Sequence, residues 1–220
     1  RQTLDLYVAN LLGPLRRYEV LPPILGDLPG LRTVLATPGD ETAQAAANQL
    51  LKRVRQQTGA DVIYLMNPQG ETLAASNWDQ QDTFVRGNFA FRPYFQEALA
   101  GRLGRFFGLG TTSGKRGYYF ASAVYDGNQK IGVMVIKVDL DHTESLWGNT
   151  PEQLLVTDGN GVVILTSRPD WRFHASRPLD KAERASIAAI QPYPTQAPPP
   201  LQLDPDVWLT QSRVCLLYTS

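Results

Sequence analysis

The sequence predicts an α+β fold: antiparallel sheets built from hairpins, with helices packed against one side. Three observations predict it. Apolar runs come in pairs joined by short polar turns, VIYLM–NPQG–ETLAAS at 62–76 and GYYFASAVY–DGNQ–KIGVMVIKVDL at 117–140. Segments of good helix formers with apolar residues at helical spacing flank these pairs. The first hairpin pattern then returns as LLVTDGNGVVILTS at 154–167, a weak internal repeat that marks a second unit of the same type. Strands paired in hairpins, rather than alternating with helices, argue against a parallel sheet.

In order along the chain, Leu4, Leu11, Leu12, Leu15 and Tyr18 give residues 1–20 a helical stripe, with Pro14 kinking or restarting it. PPILGDLPG at 22–30 reads as a break. ETAQAAANQLLKRVRQQT at 41–58 is a second helix, started after TPGD and stopped by Gly59. The 62–76 hairpin follows. In NFAFRPYFQEALAG at 88–101, Tyr94, Phe95, Ala98 and Leu99 form the stripe of a third helix, ended by Gly101. GRFFGLGTT is a strand running into a Gly/Thr/Ser loop. The run Ile131–Leu140 is apolar on both alternating faces as far as Ile136, so that strand is covered on both sides. Beyond DHTESLWGN, the second unit continues through RPDWRFHASRPLD, a helical stretch KAERASIAAI and the Pro-rich segment 192–205. It lacks the later strand pair of the first unit.

At 220 residues and 43% hydrophobic, the chain can bury a core in one large or two small domains. Lysine plus arginine number 21 against 21 acidic residues, so no basic excess exists to neutralise a nucleic-acid backbone. The one cysteine, Cys215, excludes an internal disulfide framework. The longest apolar run, IGVMVI, falls far short of the ~20 residues that span a bilayer. The terminal RVCLLYTS, apolar and without a turn signal before it, reads as an appended tail or an interrupted domain and carries no functional weight.

Arg92 is the most demanding residue. It sits among Phe91, Pro93, Tyr94 and Phe95, and a guanidinium among rings requires an anion. GLGTTSGKRGYY at 108–119 imitates a phosphate loop but fails the pattern: Leu109 stands where glycine is required and Arg116 where serine or threonine is. Its hydroxyls and backbone N–H groups still suit a carboxylate. Lys137 shares a strand face with Ile131, Val133, Val135 and Asp139; it either snorkels, pairs with Asp139, or serves a pocket. One of Tyr118 and Tyr119 must face the same side, because successive strand residues alternate. Asp158-Gly-Asn160-Gly161 lacks the further ligands of a calcium loop and reads as a polar turn. His142 with Asp139, Asp141 and Glu144 is the only grouping that could support an enzyme, such as a hydrolase, and a polar cap explains it equally well. Two cations with neutral donors and no evident base suit the binding of a small dianion without transformation.

YLMNPQGETLAASNW, FRPYFQEALAG, FFGLGTTSGKRGYYFASAV, GVMVIKVDLDHTESLW and LLVTDGNGVVILTSRPDWRF, in that order, resemble the extracytoplasmic sensor region of C4-dicarboxylate sensor histidine kinases of the DctB type. The resemblance runs to about residue 203 and is most specific at FRPYF and the GTTS loop. It implies a helical stalk at 1–26, a membrane-distal PAS-like (PDC, or double Cache) ligand-binding domain at 27–145, a partial membrane-proximal PAS-like domain at 146–211, and a tail at 212–220 foreign to the fold. It further implies a periplasmic location in a bacterial inner-membrane protein, no enzymatic activity in this fragment, and no cofactor or metal. Its partners would be succinate, fumarate or malate, a second copy through the N-terminal helix, and a cytoplasmic response regulator. By matching positions it assigns ligand contacts to Arg92, Tyr94, Thr111, Thr112, Ser113 and Lys137, and less directly to Tyr119. Phe89 departs from the family pattern, where tyrosine is expected. A chemoreceptor ectodomain or an amino-acid sensor of the same fold is the alternative; the latter requires an acid to meet an ammonium group, for which Asp139 is the candidate.

Overall fold

The structure is a computed structural model and describes Ala9, Gly13 and residues 15–145 and 153–202. Most of the helix expected over residues 1–20, and the tail at 212–220, lie outside the described residues. Residues 15–19 are helical, with Leu15 and Tyr18 buried. The Tyr18 hydroxyl donates to the Thr58 carbonyl at 3.0 Å, fastening this segment to the end of a later helix.

The segment expected to be a break is instead two helices, α1 (Leu21–Gly26) and α2 (Pro29–Ala36). Each carries proline in its first turn, where the missing N–H lacks an intrahelical partner in any residue and the fixed φ favours the helix. Helix α3 (Glu41–Thr58) starts where expected: the Asp40 carboxylate accepts from the Thr42 and Ala43 amides, and Gly59 closes it at φ 73°.

Five strands follow: β1 (Val62–Met66), β2 (Thr72–Ala75), β3 (Gly104–Leu109), β4 (Arg116–Asp126) and β5 (Gln129–Asp139). They form one sheet in the order β2-β1-β5-β4-β3, antiparallel throughout. The long β5 therefore lies centrally and is buried from Gly132 to Val138.

Helices cover both faces, not one. On the first face Leu25, Leu31, Val34, Ala47 and Leu51 of α1–α3 pack on Ile63, Leu65, Met134, Ile136 and Phe120. On the second, α4 (Pro93–Leu99) contributes Tyr94, Phe95 and Ala98 against Tyr64, Met66, Tyr119, Ala121, Val133 and Val135. The cause is the two-sided apolar pattern of β5: each fully buried aliphatic contributes about 1.5–3 kcal/mol, so neither face can be left to solvent.

The chain then runs through α5 (Leu140–Ser145) to a separate two-stranded sheet, β6 (Leu155–Thr157) with β7 (Val163–Thr166). Asp158 stabilises the intervening turn by accepting from the Asn160 and Val162 amides, so that motif is a polar turn. After a 3-10 turn at Pro169–Trp171 comes α6 (Lys181–Ile190). Asp180 and Glu183 form a reciprocal capping box at its start. Its end, Gln191, adopts the left-handed region at φ 46°.

A buried ion network joins this segment to the main sheet. Arg116 at the base of β4 donates to Glu144 Oε1 at 3.0 Å, Glu144 Oε2 at 2.5 Å, the Ile164 carbonyl at 3.0 Å, and Asp141. Arg172 shares Glu144, which also accepts from the Thr166 amide at 2.8 Å. Burial pushes the Glu144 carboxyl up, but the Arg116 hydrogen bonds, the Thr166 amide and the charges of Arg116 and Arg172 together outweigh it and hold the group below the usual carboxylate range. Asp139 accepts from the Asp141 amide at 2.7 Å. Of the grouping that could have supported catalysis, Asp139, Asp141 and Glu144 thus cap and tie elements together; the His142 side chain lies outside the described residues.

Candidate functional site

The Pro93 ring forces Arg92 into an extended conformation (φ −78°, ψ 136°) as the residue ahead of α4. Its side chain therefore leaves the helix and crosses the sheet end rather than capping the helix. It is 2% exposed, with its guanidinium carbon 5.0 Å from the Phe91 ring centre and 5.3 Å from that of Phe106.

The charge is met by carbonyl groups. Arg92 Nη1 donates to the Ile190 carbonyl at 2.8 Å and the Gln191 carbonyl at 3.0 Å. Nη2 donates to the Leu109 carbonyl at 2.8 Å. Ile190 and Gln191 end α6, where unpaired carbonyls carry the negative pole of the helix dipole. The left-handed Gln191 turns both carbonyls onto one nitrogen. A guanidinium has five N–H donors and these bonds use three. The remaining two, on Nε and Nη2, form one edge of the group, the edge that can grip a carboxylate in a two-pronged way; among the described residues they have no hydrogen-bond partner.

Arg92 lines a small cavity of about 10 Å³ together with Phe84, Phe89, Tyr94, Gly110, Thr111, Thr112 and Tyr119. Tyr94 and Tyr119 stack face to face at 5.0 Å and 6°. The Tyr64 hydroxyl donates to that of Tyr94 at 2.7 Å. Burial raises the pKa of all three tyrosines, so they are neutral hydrogen-bonding groups at any physiological pH. Phe89 builds an apolar wall, packed edge-on to Tyr64 at 5.8 Å.

The Gly110–Lys115 loop closes on itself through Gly110 N to Lys115 O (2.9 Å) and Gly114 N to Gly110 O (2.8 Å). Gly110 leaves room for the Ser113 hydroxyl, since a Cβ there would stand 2.6 Å from Ser113 Oγ and 3.3 Å from the Tyr119 hydroxyl. Arg92 holds the start of this segment, at Leu109. Lys137 holds its far side, donating to Ser113 Oγ at 3.2 Å.

Lys137 is fully buried and neither snorkels nor pairs with Asp139. Its ammonium pairs with Asp61 Oδ2 at 2.6 Å. Strand register explains this: Val62 of β1 faces Lys137 of β5, and the Asp61 amide donates to the Lys137 carbonyl at 2.9 Å. Gly117 makes space for the stem, since a Cβ there would lie 2.5 Å from Lys137 Cε. Tyr119 sits directly across the β4–β5 pair from Lys137, on the same face. An ammonium has three donors and Asp61 and Ser113 take two; the third has no partner among the described residues.

Of the seven residues expected at the site, Arg92, Tyr94, Thr111, Thr112 and Tyr119 line the cavity, while Ser113 and Lys137 bond to each other beside it. Sequence reasoning missed Asp61, Phe84 and the Ile190 and Gln191 carbonyls. Asp61 precedes a clear strand, but nothing local reveals which strand that one pairs with.

No family model matches the chain. It is 67% identical over 97% of its length to the C4-dicarboxylate transport sensor protein DctB of Pseudomonas aeruginosa, spanning 35% of that protein. It is 34% identical over 83% of its length to the protein of the same name from Rhizobium meliloti, spanning 29% of it. The chain thus spans about a third of the length of these curated relatives. Among solved structures it superposes on the sensor domain of the V. cholerae histidine kinase DctB with a TM-score of 0.84 and 33% identity, covering 90% of this chain and 77% of that one. With that agreement in sequence and in fold, the chain belongs to the family of DctB sensor domains.

Proposed function

We propose that the chain is the periplasmic ligand-binding region of a two-component sensor histidine kinase and that it binds C4-dicarboxylates such as succinate, fumarate and malate to control their uptake. The observation that carries this reading is one loop held from both ends by buried cations. Arg92 bonds Leu109 and Lys137 bonds Ser113, with Thr111 and Thr112 between them at the cavity. One ligand carboxylate takes the unpaired edge of Arg92; the other takes the third donor of Lys137, with Thr111, Thr112, Ser113 and Tyr119 supplying neutral bonds. Charge-assisted bonds of about 1.5–3 kcal/mol each, less ordering costs, give affinities on the order of micromolar to millimolar. A monocarboxylate forgoes the bond to the remaining Lys137 donor and is disfavoured. The cavity has room for about one water, so the Gly110–Lys115 loop swings outward to admit a four-carbon ligand. The names of the relatives agree with the ligand class.

The tandem organisation is part of the same proposal: 27–145 as the distal ligand-binding domain, 146–211 as a partial proximal one, and the N-terminal helix as stalk and dimer contact in an inner-membrane protein that addresses a cytoplasmic response regulator. No helix among the described residues is long and apolar enough to cross a membrane. Arg92 supplies the route for the signal, because the guanidinium that meets the ligand also holds the end of α6. A ligand shifts such a contact only by its differential affinity for the two arrangements.

Thermal-shift titration with succinate, malate, aspartate and acetate tests the reading. Succinate or malate raises the melting temperature, acetate does not, and R92A and K137M remove the rise while remaining folded. An equal response to acetate overturns the dicarboxylate assignment, and a response to aspartate alone favours an amino-acid sensor.

A further inference from the structure

The site contains a carboxylate of its own. Asp61 holds the Lys137 ammonium at 2.6 Å, with the lysine side chain fully buried and the aspartate 17% exposed. The main chain pins the aspartate in place, since its amide donates to the Lys137 carbonyl. Its charge reaches the cavity: after burial and the Tyr94 hydroxyl, it is among the influences that keep the Tyr119 hydroxyl protonated, and Tyr119 lines the cavity. Arg92 and Lys137 therefore present one net positive charge, not two.

We propose that Asp61 is a specificity-determining residue that sets the charge the site accepts. This rests on the dicarboxylate reading above. By pairing with Lys137, Asp61 keeps the ammonium buried and directed at Ser113, and it opposes whatever anion arrives at that end. The second carboxylate of a dianion is drawn to Lys137 and repelled by Asp61 together. A ligand carrying a neutral amide at that end escapes the repulsion. Asp61 thus lowers affinity for dianions and narrows the preference for a diacid over its half-amide, which keeps ligand exchange fast.

The test compares succinate with succinamate, the same chain with one carboxylate replaced by an amide, by calorimetric titration of wild type and D61N. The substitution preserves shape and removes one charge. At a separation of several ångströms in a partly buried site, D61N tightens succinate binding by about tenfold. Succinamate affinity changes little, so the ratio of the two dissociation constants rises by a similar factor. A merely structural role would weaken both ligands together. Asp61→Ser, which removes the same charge with a smaller group, is measured alongside and shows the same rise should D61N fold poorly. Succinate binding that is unchanged or weakened in folded D61N or D61S overturns the role of Asp61 and leaves the dicarboxylate reading standing. A wild-type chain that binds succinate no better than succinamate, with that ratio unchanged in D61N and D61S, overturns both.

Discussion

Replacing Glu144 with glutamine removes the anion at the centre of the buried network between the main sheet and the β6–β7 segment. Arg116 is 5% exposed and Glu144 8%, so the pair is shielded from water. The glutamine keeps an acceptor for the Thr166 amide, and the change isolates the charge. Breaking a buried ion pair from one side costs about 3–5 kcal/mol, because the remaining charge stays buried without its partner. Asp141, half-exposed, continues to face Arg116, which places the expected loss at the low end, about 3 kcal/mol. For a chain of this size, at about 2–4 °C per kcal/mol, the melting temperature of E144Q falls by roughly 6–12 °C. Circular dichroism during heating at pH 7 measures it. The pH dependence gives an independent check. The folded carboxyl titrates below its ordinary value, so its stabilisation is fully present above the unfolded value and is lost as pH falls through the folded one. The gap between wild type and E144Q is therefore constant from about pH 5 to 8 and closes below about pH 4. A melting temperature within about 2 °C of wild type at pH 7, well inside the predicted drop, refutes the view that this network holds the two parts together.

Two further substitutions test the scaffold of the site. G117A drives a methyl group into the Lys137 stem, 2.5 Å from Cε and 2.8 Å from Cγ; it costs about 1–3 kcal/mol by overpacking and abolishes the succinate-dependent thermal shift by moving the ammonium. Q191G relieves a left-handed residue at the α6 end and raises stability by about 0.5–1 kcal/mol, read as an increase in the urea midpoint, with succinate affinity within twofold of wild type, a change of about 0.4 kcal/mol.

What the sequence discloses and what it withholds divide by range. Helix α3 was legible because Asp40 and Gly59 punctuate it locally, and the β1–β2 and β4–β5 pairs because their turns are short. The helices at 21–36 were hidden by prolines, which signal a break in a helix interior but a start in its first turn. Helices on both faces follow from the two-sided pattern of β5, yet the single stripe of α4 does not say which face it covers. At the site, Arg92, the threonine loop and Lys137 announced themselves as cations and hydroxyls in apolar company. Their partners did not. Asp61 reaches Lys137 only through the β1–β5 register, and the carbonyls on Arg92 arrive from a helix end far along the chain. Long-range pairing carries no local residue signal, so the charge each cation needed was inferred as an external anion when part of it is internal.

The central claim is that Arg92 and Lys137 serve the two ends of one short diacid. A crystal structure of the chain with succinate measures this most directly. The account predicts one carboxylate on the Nε–Nη2 edge of Arg92 and the other within hydrogen-bond distance of Lys137 Nζ, with Asp61 still on the ammonium. Succinate held by only one of the two cations, or bound away from the Gly110–Lys115 loop, contradicts it.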